Sequence, residues 1–114
     1  MQFEYERKSV EKLFEDFNLI LAKHTDIARS LKKICNQLKA SRNWGIYLST
    51  GMGKPHSLEG NYAEWIGICI TGHKRLLIKP ADGNFDPVAL NKCERIIIGG
   101  VVDYHGSKTN WIIP

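Results

Sequence analysis

Val10, Leu13, Phe14, Phe17 and the Ile20-Leu21 pair recur at helical spacing, which predicts a helix from about Ser9 to Lys23. Thr25-Asp26 supplies N-cap chemistry for a second helix. In it Ile27, Leu31, Ile34, Cys35 and Leu38 form one apolar stripe, with Arg29, Lys32, Lys33 and Lys39 on the opposite face. After Ala40 the period changes: 43–48 reads as one short helical turn and 51–55, Gly-Met-Gly-Lys-Pro, as a loop. From His56 onward the pattern is that of strands. Residues 64–71 hold the nearly continuous apolar run Trp65-Ile66-Gly67-Ile68-Cys69-Ile70, as an interior strand does. Thr71-Gly72-His73 reads as a tight turn into 74–80. There, alternation sends Arg75, Leu77 and Lys79 one way and Leu76 and Ile78 the other, toward the core. Pro80 stops this strand, 81–87 is turn-rich, and a helical turn is expected over 87–92. The last long strand is read at 93–103, with Gly99-Gly100 marking a bulge or a close backbone approach. Helices first and an antiparallel meander after them predict an α+β domain, its two N-terminal helices packed on one face of a small, mainly antiparallel sheet.

Composition narrows this picture. A length of 114 residues, 43% hydrophobic and 25% charged, suits a single globular domain over 1–114 and excludes a disordered chain. The apolar stretches 65–71 and 96–102 fall far short of the roughly 20 residues that span a bilayer. No basic segment followed by an apolar one opens the chain, so the expected compartment is the cytoplasm, with no membrane partner. Cys35, Cys69 and Cys93 are far apart, form no C-x-x-C pair and suit free thiols; no cluster has metal-ligand spacing and no cofactor is expected. Sixteen basic against twelve acidic residues give a net charge of +4, compatible with a polyanionic partner. The basic excess sits mainly in 1–42, yet a basic helical face is more often solvated surface than a binding site.

Gly53-Lys54 is not a phosphate loop, because Leu48 stands where that motif needs glycine and Pro55 where it needs Ser or Thr. His24 and His73 read as solvated turn residues, His56 opens the β region, and His105 follows an apolar strand. The run Val101-Val102-Asp103-Tyr104-His105-Gly106 places three groups that hold or move protons at the end of that strand. By itself the run also fits a capping Asp103, a packed Tyr104 and an exposed His105.

Three elements occur in a recognisable order: Lys54-Pro55-His56-Ser57-Leu58-Glu59-Gly60, then His73-Lys74-Arg75-Leu76-Leu77-Ile78, then Val102-Asp103-Tyr104-His105. Together they resemble the RelE/HigB-like toxins of type II toxin–antitoxin modules (plasmid maintenance killer proteins), over about residues 10–106. The resemblance implies a RelE-like fold and ribosome-dependent, metal-independent cleavage of messenger RNA. It also implies a cognate helix-turn-helix antitoxin as partner, with operator DNA reached only through that antitoxin. Carried over, the implied catalytic residues are His56, Arg75, Asp103, Tyr104 and His105, and the RNA-binding cations Lys54, Lys74 and Lys79.

The residue types suit that chemistry. Attack of a 2′-hydroxyl on its own phosphate needs a base, an acid for the leaving 5′-oxygen and a fixed cation at the developing charge. His56 and His105 suit the proton transfers, in either order, and Arg75 suits the phosphate. Lys79 shares the Arg75 face, Asp103 suits the orienting of an imidazole, and Tyr104 suits a base or the scissile phosphate. The chain departs from the resemblance at Glu59 and at Asn61-Tyr62-Ala63-Glu64, which remove positive charge from the loop. That departure motivates a second expectation: a non-catalytic module of the same fold for antitoxin pairing, operator control or ribosome binding. The tail 107–114, with Trp111-Ile112-Ile113, is expected to pack on the domain or to help hold the antitoxin.

Overall fold

The computed structural model describes residues 1–105 and 108–114; Gly106 and Ser107, which close the Asp-Tyr-His run and open the tail, lie outside the described residues. The elements in chain order are β1 (Gln2–Tyr5), α1 (Lys8–Glu15), α2 (Phe17–Lys23), α3 (Thr25–Ala40) and α4 (Trp44–Thr50). They are followed by β2 (His56–Ser57), a 3-10 turn (Gly60–Tyr62), β3 (Ile66–Thr71), β4 (Lys74–Pro80), α5 (Pro87–Leu90), β5 (Arg95–His105) and β6 (Lys108–Ile113). The α+β expectation holds, with the helices on one face of a sheet ordered β1-β5-β4-β3-β2. Among the described residues no helix is long and apolar enough to cross a membrane.

Several boundaries differ from the sequence expectation, among them the last long strand, which runs over Arg95–His105 rather than 93–103. The helix expected over 9–23 is broken at Asp16, whose carboxylate accepts from the Asn18 backbone N–H at 3.2 Å and so caps α2. Apolar periodicity runs through the break because both short helices turn the same side to the core, Val10 from α1 and Ile20 from α2. The N-cap of α3 is His24 rather than Thr25, whose hydroxyl instead donates to the Leu21 carbonyl at 2.9 Å. Another difference is β1, four residues that pair in parallel with Arg95–Ile98 at the start of β5. The tail does pack on the domain: β6 pairs antiparallel with the second half of β5. β5 therefore continues through Asp103, Tyr104 and His105 as strand.

The core lies between the helices and one face of the sheet, where Ile27, Leu31 and Leu38 meet Ile68, Leu76, Ile78, Ile96 and Ile98. Its polar atoms are satisfied: the Trp44 Nε1–H donates to the Arg95 carbonyl at 3.0 Å and the Tyr47 hydroxyl to the Met52 carbonyl at 2.8 Å. The opposite face is not bare. Leu58, Trp65, Leu77 and Val102 bury one another there, so Leu77 sits in a second small cluster on the Arg75 side.

Gly99 and Gly100 explain how aromatic rings lie so close to β5. A β-bulge offsets the pairing between Leu77 and Ile78 across from them. A Cβ on Gly99 would stand 2.7 Å from the Trp65 ring, and one on Gly100, at φ +129°, would run into the Ile113 carbonyl and stand 3.1 Å from Trp111 Cζ3. The close backbone approach expected from the Gly-Gly pair is present.

Candidate functional site

The β3–β4 turn and the far end of β5 meet at one end of the sheet. The Tyr104 backbone N–H donates to the His73 carbonyl at 2.8 Å, tying the strand to the turn. Above that tie the His73 and His105 rings pack with centroids 4.2 Å apart, tilted by 45°. Asp103 and His105, two residues apart on β5, share a face, and His105 Nε2 lies 2.8 Å from Asp103 Oδ1. That buried carboxylate oxygen has no hydrogen-bond partner among the described residues, so the approach of His105 Nε2 is a close charge contact without hydrogen-bond geometry. Lys74 stands opposite Asp103 in register and pairs with Asp26 of α3, which puts this cluster at the rim of the helix-covered side. The hydrogen bond from Lys74 holds the Asp26 carboxyl below its ordinary value, against a smaller opposing effect of burial. The His105 side chain remains 51% exposed.

Arg75 approaches the same turn from the other face. Its Nη1 donates to the carbonyls of Gly72 at 2.7 Å and Lys74 at 3.1 Å, while its Nε is buried with no hydrogen-bond partner among the described residues. Guanidinium and imidazoles thus flank one hairpin tip from opposite sides. Tyr104 alternates onto the Arg75 face and packs, half-buried, against the Leu58–Trp65–Leu77–Val102 cluster.

His56 stands apart from this group. It pairs with Gly67, four residues before the end of β3, which is about 13 Å along the strand from the hairpin tip, and β2 is three strands away from β5. Its Nδ1 lies 3.0 Å from the Lys54 carbonyl. Because a carbonyl only accepts, Nδ1 is the donor in this contact. Lys54 takes φ +50°, and it is exposed. Lys79 lies with Nζ 4.3 Å from the Trp65 ring centroid and 3.4 Å from Glu64 Oε1. The structure therefore sets Asp103 and His105 on one side of the turn and Arg75 and Tyr104 on the other, and spreads His56, Lys54 and Lys79 along the open face.

The residue that sequence reading passed over is His73. In a turn, next to glycine, it carries no local signal; only the pairing of β4 with β5 sets it against His105. Arg7, Tyr62 and Trp111 were likewise missed as a group: the Arg7 guanidinium carbon is 5.3 Å from the Trp111 ring centroid, and the Tyr62 and Trp111 centroids are 6.0 Å apart.

No protein-family model and no curated protein sequence matches the chain. Solved structures do. A chain of the YoeB-YefM complex from Staphylococcus aureus superposes with a TM-score of 0.54 at 16% identity, over 92% of this chain and 97% of that one. The YoeB/ParE toxin from Agrobacterium tumefaciens gives 0.50 at 15% identity, over 86% and 92%. The fold is that of the RelE/YoeB-like toxins, as the sequence resemblance implied.

Proposed function

We propose that this chain is the toxin of a type II toxin–antitoxin module and cleaves messenger RNA at the ribosome by metal-independent attack of a 2′-hydroxyl on the adjacent phosphate. In that step the 2′-oxygen bonds to phosphorus as its proton passes to a base. The bond from phosphorus to the 5′-oxygen breaks as an acid protonates the leaving oxygen. The products are a 2′,3′-cyclic phosphate and a free 5′-hydroxyl. The observation that carries this reading is the grouping of His105, Asp103 and His73 at one exposed hairpin tip of a toxin-type fold, with Arg75 on the other side of the same turn.

Asp103, 2.8 Å from His105 Nε2, places a carboxylate where it favours the protonated imidazole. His73, in ring contact with His105, supplies the second imidazole at this tip for the other proton transfer. Arg75 supplies the cation for the phosphate through its guanidinium at the turn. Tyr104 and the cations Lys54, Lys74 and Lys79 serve RNA contact. His56 serves the strand of RNA that crosses β2 and β3. A cognate helix-turn-helix antitoxin and a cytoplasmic setting belong to the same reading.

The test is cleavage of a defined message on programmed ribosomes, together with growth arrest on expression. His105→Ala, Arg75→Ala and His73→Ala are each expected to lower cleavage by about 10²–10⁴-fold while the proteins stay folded. His56→Ala is expected to act less. Full cleavage by folded His105→Ala and Arg75→Ala removes the site, and a His56 effect exceeding that of His73 returns the proton-transfer role to His56. The second reading, a non-catalytic module, draws on Glu59 and on Glu64, which engages Lys79. Ribosome binding by the wild-type chain without any product would establish it.

A further inference from the structure

The open face carries a feature that bond cleavage does not use. Val102 stands opposite Arg75 on one side and opposite Trp111 on the other. Arg75, Val102 and Trp111 thus form a row across β4, β5 and β6, with Trp111 about 10 Å from Arg75 across two inter-strand spacings. Trp111 is 41% exposed, whereas Trp44 and Trp65 are 0% and 7% exposed.

This indole is also held. Gly100 lets it lie against β5, since any Cβ there would stand 3.1 Å from Cζ3. Tyr62 meets it at 59°, and the Arg7 guanidinium sits over it while Arg7 Nη2 donates to the Gly99 carbonyl at 2.9 Å. Residues from the β1–α1 junction, the 3-10 turn and β6 are therefore ordered around one ring before any ligand arrives, which lowers the ordering cost of binding.

We infer that Trp111, with Arg7 and Tyr62, is a stacking subsite for an unpaired nucleobase of the RNA whose phosphate meets Arg75, an inference that rests on RNA being the ligand of this face. A nucleotide uses both things the ledge offers, a π-face for its base and a clamped cation for its phosphate. Alignment with Arg75 places the base and the phosphate on one continuous track. Stacking is tolerant of base identity, so this subsite adds affinity with little sequence preference.

The test uses the full chain and a short unstructured oligoribonucleotide with deoxyribose at every position that would be cut, so that it binds without cleavage. Because the other two tryptophans are buried, quenching of the intrinsic fluorescence by this RNA reports Trp111. Quenching is expected in the wild type and is expected to vanish in Trp111→Phe, which keeps an aromatic face and binds within a few-fold of wild type. Trp111→Ala is expected to weaken binding about tenfold to a hundredfold. RNA binding without quenching, unchanged affinity of a folded Trp111→Ala, no RNA binding at all, or protection of Trp111 by an antitoxin segment but not by RNA would each overturn the subsite. Quenching by RNA from a protein that cuts no message would leave the ledge standing and remove the nuclease reading. Cleavage that ignores Trp111 would do the reverse.

Discussion

Beneath the helices, one face of the sheet is packed with Ile and Leu from β3, β4 and β5 against the stripes of α2 and α3, and its polar atoms are paired. Across the same strands, the other face buries, among the described residues, only Leu58, Trp65, Leu77 and Val102, and rims them with Tyr62, Tyr104, Trp111, Arg7, Arg75 and Lys79. Aliphatic packing with satisfied polar groups is what a folding core needs. The open face instead carries aromatic rings beneath cations, with Arg7 over Trp111 and Lys79 over Trp65. The lesson is that one set of strands serves both ends because alternation lets neighbouring residues, Leu76 and Arg75, belong to different faces.

The sharpest way to break this contrast is to remove an indole from each face. Trp44→Ala, in the core, is expected to cost about 3–5 kcal/mol of stability. Trp111→Ala is expected to stay within about 1 kcal/mol, both read by urea or thermal unfolding. Equal losses would make the open face a second folding core rather than a ligand surface.

Alkaline titration sharpens the same division. Burial pushes the Cys35 thiol up to about 12 and the Tyr47 phenol up to about 12, both on the helix side. Below about pH 9 folded and unfolded chains alike keep these protons. Above it the unfolded chain ionises first, so stability is expected to fall as pH rises from about 9 toward 12. Unfolding midpoints across that range check it, and Cys35→Ala is expected to flatten the early part of the decline. A slope unchanged in Cys35→Ala would mean that the thiol is not sealed in the core. The smallest effect belongs to the surface pair of Arg95 with Glu4 at 2.7 Å, where Glu4→Gln is expected to shift stability by about 0–1 kcal/mol. A larger loss would show that the β1–β5 edge depends on charge more than on backbone pairing.

Much of the architecture was legible because periodicity reports burial directly. α3 and β4 appear where their stripes predict them, at Thr25–Ala40 and Lys74–Pro80. β1 was not legible: Gln-Phe-Glu-Tyr is too short for a period, and it becomes a strand only because β5 offers an edge. The break at Asp16 escaped for the opposite reason, since the apolar period is continuous across it. In the candidate site, Arg75, Asp103 and His105 were visible as residue types with a role, whereas His73 became a member only through its contact with His105.

Local order was written in the chain itself: which segments would coil, which would extend, where glycine would let an aromatic ring lie against the backbone, and which side chains carry chemistry. Those properties depend on neighbours within a few positions. Which imidazole faces which, and which indole joins the arginine row, depended on strand register, because register brings together residues tens of positions apart. Only the assembled sheet could set His73 against His105, leave His56 at a distance and line up Trp111 with Arg75.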